Sequence, residues 1–162
     1  ENKLGYAAIS PRTDKNLTEK IIRALKYTPV FLEATIENKP IYHTNVLMCI
    51  GDMFAVICLE AIPDLDERLN VRNSLESSGK QVIEITLDQM NQFAGNMLQV
   101  ENKTGQLYLV MSSQAYNALT PSQVKELENY NPIIHSDITT IETNGGGSAR
   151  CMMAEVFLPL KK

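Results

Sequence analysis

A thiol stands behind a run of glycines in Asn144-Gly145-Gly146-Gly147-Ser148-Ala149-Arg150-Cys151-Met152. Nucleophilic sulfur chemistry needs a thiol that solvent can reach and whose pKa is lowered. The glycines permit close backbone approach and positive φ. Their N–H groups could stabilise negative charge developing near the sulfur. Arg150 adjoins the cysteine, but neighbours on a strand face opposite ways, so it need not help ionise the thiol. The competing reading is bland: a loose surface loop followed by a cysteine that packs as a small hydrophobe. Both readings fit the spacing.

A thiolate enzyme also needs an acid/base partner that works near neutral pH, and histidine supplies one. The chain has two histidines. His43, in Ile41-Tyr42-His43-Thr44-Asn45-Val46, lies between apolar patches where a strand is expected to begin. His135, in Pro132-Ile133-Ile134-His135-Ser136-Asp137, reads as a surface residue. Arg12, in Ser10-Pro11-Arg12-Thr13-Asp14, sits in a turn after a strand, where loops place functional groups. Arginine there suits bidentate capture of a carboxylate. Its plainer role is a solvated ion pair with Asp14. Cys49 and Cys58 lie inside apolar runs and read as core.

The elements that must position these residues follow from pattern. The chain has 162 residues, 44% hydrophobic and 21% charged, which is ordinary globular composition. Net charge is −4 with mixed signs, and no basic cluster points to nucleic acid. No apolar run approaches the roughly 20 residues needed to span a bilayer. Three cysteines without paired spacing favour a reducing compartment, and a cytoplasmic protein is expected. No metal-ligand spacing is present, and no cofactor is expected.

Strands are predicted over Leu4–Ser10 and Thr28–Glu37. A helix is predicted over Leu17–Leu25, capped by Asp14 or Asn16. Gly51-Asp52 divides two apolar runs as a hairpin. A helix then runs to Gly79, and a strand follows it. The pattern returns as a hairpin around Lys103-Thr104-Gly105, a helix capped by Thr120 with Pro121 at its first position, and a strand over Pro132–Glu142. The stretch from Gly145 onward reads as the opening of a third unit. Strand-strand-helix-strand thus repeats with a period of about 45 residues. That rhythm supports a closed, propeller-like α/β arrangement, with an ordinary α+β domain as the alternative.

Taken together, "SPRTD", "YHTNV", "FAGNML" and "GGGSARCM" resemble the guanidine-modifying enzymes, the pentein superfamily. The similarity is greatest to its amidinotransferase and citrulline-utilization hydrolase group, and it runs the length of the chain. It implies a pentein-type α/β propeller of ββαβ modules, of which this chain holds roughly the C-terminal half as a single domain. It implies Cys151 as nucleophile, His43 as general acid/base and Arg12 as a holder of the substrate carboxylate. Asn96 matches an asparagine often near the site. Many relatives carry His-x-Asp, where this chain has His43-Thr44-Asn45; a neutral amide suits a ureido group at least as well as a guanidinium. Relatives also carry a further catalytic acid ahead of the position of Glu1. The expected reaction is hydrolysis of, or amidino transfer from, an arginine- or citrulline-like substrate through a covalent thio-intermediate, without a cofactor. The expected partners are a small amino-acid-like substrate and the absent N-terminal half; a homo-oligomer is left open. The alternative is a non-catalytic binding module of the same fold.

Overall fold

The computed structural model describes residues 3–156. Two ββαβ modules and one βαβ unit make up the chain. The βαβ unit pairs β1 (Leu4–Ala8) in parallel with β2 (Thr28–Leu32) across helix α1 (Lys15–Ala24). The Asp14 carboxylate caps α1 by accepting the Leu17 N–H at 2.8 Å. The long strand expected over 28–37 breaks after Leu32. Glu37 and Asn38 turn there with φ of 48° and 62°, joining the two-residue strands β3 (Thr35–Ile36) and β4 (Lys39–Pro40).

The second module opens with a short helix, α2 (Thr44–Leu47), that runs directly into β5 (Met48–Ile50). β5 turns at Gly51-Asp52 into β6 (Phe54–Ile57), as the apolar pattern predicts. Helix α3 (Leu65–Ser77) then returns the chain to β7 (Gln81–Glu84), parallel to β6. All four β6 residues are buried, which is why the strand reads as an unbroken apolar run. α3 starts on the Asp64 carboxylate, which accepts the Glu67 N–H at 2.9 Å, and stops at Gly79, whose φ is 82°.

The third module repeats the plan. After α4 (Leu87–Asn91), β8 (Leu98–Glu101) pairs antiparallel with β9 (Leu107–Ser112). Helices α5 (Ser113–Ala118) and α6 (Pro121–Glu128) lead to β10 (Ile133–Ser136), parallel to β9. Thr120 and Gln123 form a capping box at the start of α6, with Pro121 in its first turn. β10 is shorter than expected. The Asp137 carboxylate accepts from the Thr139 N–H at 3.0 Å and its hydroxyl at 2.7 Å. That local bond draws the backbone out of the ladder and into helix α7 (Thr139–Gly145). The strands that lead into the crossover helices begin at Leu4, Phe54 and Leu107, a slightly longer step than the sequence rhythm suggested.

One continuous core joins the units, with Leu32, Leu47, Phe54, Ile57, Leu75 and Leu109 fully buried within it. Side-chain amides latch neighbouring units. Gln89 Nε2 donates to the Ala118 carbonyl at 2.9 Å, and Gln123 Nε2 donates to the Glu84 carbonyl at 2.7 Å. Among the described residues no helix is long and apolar enough to cross a membrane.

Candidate active site

Three junctions between strands carry the site. The first follows β1, where Ser10 and Thr13 bridge and close a turn around Arg12. The Ser10 hydroxyl accepts the Arg12 N–H at 3.1 Å and donates to the Tyr42 carbonyl at 2.9 Å. Arg12 does not pair with Asp14; its guanidinium lies over the Tyr42 ring, 5.0 Å from the centroid. That ring meets the His43 imidazole at 4.9 Å and 67°. His43 is exposed and ends the extended segment ahead of α2 rather than opening a strand. Thr44, beside it, accepts the Ala8 N–H through its hydroxyl at 2.9 Å and so ties α2 to β1.

The second junction leads from α4 to β8. Phe93 adopts φ of 65°, unusual for a bulky residue. Its carbonyl accepts the Asn96 N–H at 2.8 Å. Gly95 presses against the backbone of Val46 and Leu47 so closely that no side chain fits between them. Asn96 is thereby carried, buried, to α2, where its amide donates to the Asn45 carbonyl at 2.8 Å.

The third junction is the glycine run. It is a built turn, not a slack loop. Gly145 ends α7, and Gly146 caps it with φ of 68°. The Gly146 N–H is committed to the Glu142 carbonyl at 3.0 Å, so it is no free donor for an anion. Ser148 is buried and donates from its hydroxyl to the Glu142 carboxylate at 2.6 Å. A side chain on Gly147 would come within 3.2 Å of the Cys151 sulfur. Cys151 then sits in a 3-10 turn (Ala149–Met152), not at the mouth of a strand. The apolar stretch expected to open the next unit ends in residues 157–160, outside the described residues.

These junctions bring Asn45, Asn96 and Cys151 together. The Asn96 amide nitrogen lies 3.3 Å from the sulfur and its oxygen 3.5 Å away; the Asn45 amide nitrogen lies at 3.8 Å. A carboxamide so placed serves both ionisation states. Its oxygen accepts from the thiol, and its N–H donates to the thiolate. Cys151 is exposed, whereas Cys49 and Cys58 are buried. Burial pushes the Cys49 thiol up to about 12, with the Arg150 charge opposing it, and burial raises the Cys58 thiol as well. Accessible sulfur is thus confined to one position among the described cysteines.

His43 and Cys151 are not joined directly: among the described residues the imidazole makes no hydrogen bond. Asn45, on the turn after His43, stands next to the sulfur instead. Beside Asn45 opens a cavity of about 330 Å³, lined also by Tyr6, Cys49, Met97 and Arg150; His43 and Cys151 are not among its lining residues. His135 is exposed as expected; it stacks on Tyr116 at 4.1 Å and meets the Ser113 hydroxyl at 3.0 Å. Sequence reasoning missed Tyr42 and Ser10 as parts of the site, although both stand inside the quoted motifs. It also read Asn45 only as a substrate contact.

No curated protein sequence matches the chain. Solved structures share its fold. Apo ArgZ, an arginine dihydrolase from the ornithine–ammonia cycle in cyanobacteria, superposes with a TM-score of 0.74 at 16% identity, covering 97% of this chain and 23% of ArgZ. The N-terminal domain of an ArgZ variant, covalently bound to a reaction intermediate, gives 0.72 at 16% identity, over 93% of this chain and 50% of that one. A cysteine-to-alanine mutant of AgrE with L-arginine gives 0.69 at 15%, over 93% and 21%. The chain therefore spans about a fifth to a half of the length of these structures. They bear out the pentein-type α/β fold, present here as part of the whole. The family described as eukaryotic N,N dimethylarginine dimethylhydrolase matches residues 1–158, and with that match over nearly every residue the chain belongs to the dimethylarginine dimethylhydrolase family, among the pentein guanidine-modifying enzymes.

Proposed function

We propose that the chain carries the nucleophile half of a cysteine hydrolase acting on the guanidino or ureido carbon of an arginine- or citrulline-like substrate. The observation that carries this reading is the exposed Cys151 sulfur set against two carboxamides, Asn96 at 3.3 Å and Asn45 at 3.8 Å. In this reading the Cys151 thiolate attacks the central carbon, and a carbon–sulfur bond forms. His43 gives a proton to the departing amine, and the carbon–nitrogen bond breaks. Water, losing a proton to His43, then adds to the thio-intermediate and displaces the sulfur. Acid/base help of this kind contributes roughly 10²–10⁴-fold. Arg12, free of any ion pair among the described residues, would hold the substrate carboxylate. Were an amine to replace water, the same groups would transfer an amidino group. The arginine dihydrolase and arginine-bound relatives agree with this substrate class. The remaining modules of the fold would complete the cavity and supply the further acid.

The test is alkylation by iodoacetamide at pH 6.5 on the full-length protein, read by mass spectrometry. An ordinary thiol, with a pKa of about 8.5, is about 1% ionised there and reacts slowly. Fast labelling confined to Cys151 and slowed by citrulline or arginine is expected. Slow labelling of Cys151, unaffected by either compound, would remove the nucleophile and favour a binding module.

A further inference from the structure

Arg12 is a cation without a carboxylate partner among the described residues. Asp14, close in sequence, is occupied as the cap of α1. The guanidinium instead rests on the face of the Tyr42 ring at 5.0 Å, and that same ring meets His43 at 4.9 Å. The backbone beneath is pinned by the Ser10 hydroxyl, which binds the Arg12 N–H and the Tyr42 carbonyl at once. Tyr42 is 41% exposed, so core packing does not account for an aromatic residue there. One side chain therefore stands between the group read as the carboxylate holder and the group read as the proton carrier.

A guanidinium held over an aromatic ring spends none of its N–H donors on a carboxylate, and those donors are what grip a carboxylate in bidentate fashion. An ion pair at the same place would already have used those donors. Resting on the proposed function above, we infer that Tyr42 is a positioning residue. It holds Arg12 with its N–H groups ready for the substrate's α-carboxylate and fixes the orientation of the His43 ring. Substrate capture and proton delivery then share one support, and the span between them sets the length of substrate accepted.

The experiment compares Tyr42→Phe and Tyr42→Leu in the full-length protein. Two substrates are used: L-arginine and its decarboxylated analogue, which lacks only the carboxylate. Removal of an exposed cation–π contact corresponds to a change of about two- to fivefold. Tyr42→Leu is expected to raise KM for arginine by that factor and to leave KM for the analogue unchanged. The effect should vanish in an Arg12→Ala background, and Tyr42→Phe should behave as the unchanged protein does. Equal changes in KM for both substrates, or an undiminished KM effect without Arg12, would overturn the inference. A second readout stands apart from turnover: the His43 imidazole proton resonances, which Tyr42→Leu should move and Tyr42→Phe should not. If the unchanged protein processes neither of these substrates nor citrulline, the hydrolase reading falls, and the resonances alone decide the role of Tyr42. Unmoved His43 signals in a folded Tyr42→Leu protein would overturn that role.

Discussion

Asn45 puts a neutral amide 3.8 Å from the Cys151 sulfur, where many members of the resembled superfamily carry aspartate. A carboxylate there would attract a cationic guanidinium and would also disfavour a thiolate beside it. Asn45→Asp is therefore expected to move substrate preference from citrulline toward arginine and to slow Cys151 alkylation at pH 6.5 severalfold. Competition kinetics and labelling rates check the two effects separately, and an unchanged preference would count against the assignment. At Cys49 the consequence concerns stability. Its thiol is pushed up to about 12 by burial from an ordinary value of 9.0. Between these values the unfolded chain has lost the proton that the folded chain keeps. Stability from this group is complete below about pH 9 and is lost as pH rises toward 12, by at most about 1.4 kcal/mol per pH unit. Urea titrations between pH 8 and 11 should show this decline, and Cys49→Ala should flatten it whatever its effect at pH 7.

Among the elements, the short connections do the placing. Gly95 lets the α4–β8 junction press onto the backbone of α2, which delivers Asn96 to Asn45 and Cys151. Gly95→Ala would force those backbones apart. It is expected to destabilise the protein by about 1–3 kcal/mol, as overpacking does, and to slow Cys151 labelling by more than that loss explains. Chemical denaturation alongside alkylation measures both. What the sequence revealed at this scale was local. Asp14, Thr120 and Gly79 announce helix ends because caps act within a turn of the chain. α7 and the 3-10 turn at Cys151 were not legible. Their cause lies in Asp137 reclaiming the backbone and in Ser148 bonding buried Glu142, choices that a strand-like composition conceals. The Arg12–Tyr42–His43 stack was hidden for another reason: its ends meet only after β1 and the β3–β4 segment have been brought alongside each other.

For the whole molecule, strand partners separate the units. β6 and β9 each lie between two strands, whereas among the described residues β1 pairs only with β2. α1 above it leaves Leu17, Ile21 and Leu25 exposed along one side, a spacing of one helical turn per step. Amide exchange should therefore be faster on β1 than on β6 and β9 when this chain is studied alone. It should slow on β1 when the remaining modules of the fold are present. Equal protection in the chain alone would argue against an open edge.

The site residues occupy matching stations in the repeat. Asn45 stands just ahead of β5, Asn96 just ahead of β8, and Cys151 just beyond α7, where a further unit would begin. Each copy of the motif thus contributes one polar side chain to a shared centre. A gene built by duplicating such a unit need not invent a new scaffold to acquire a new reaction. Point changes at a few registered codons suffice, because the repeated backbone already carries each of those positions to the same centre.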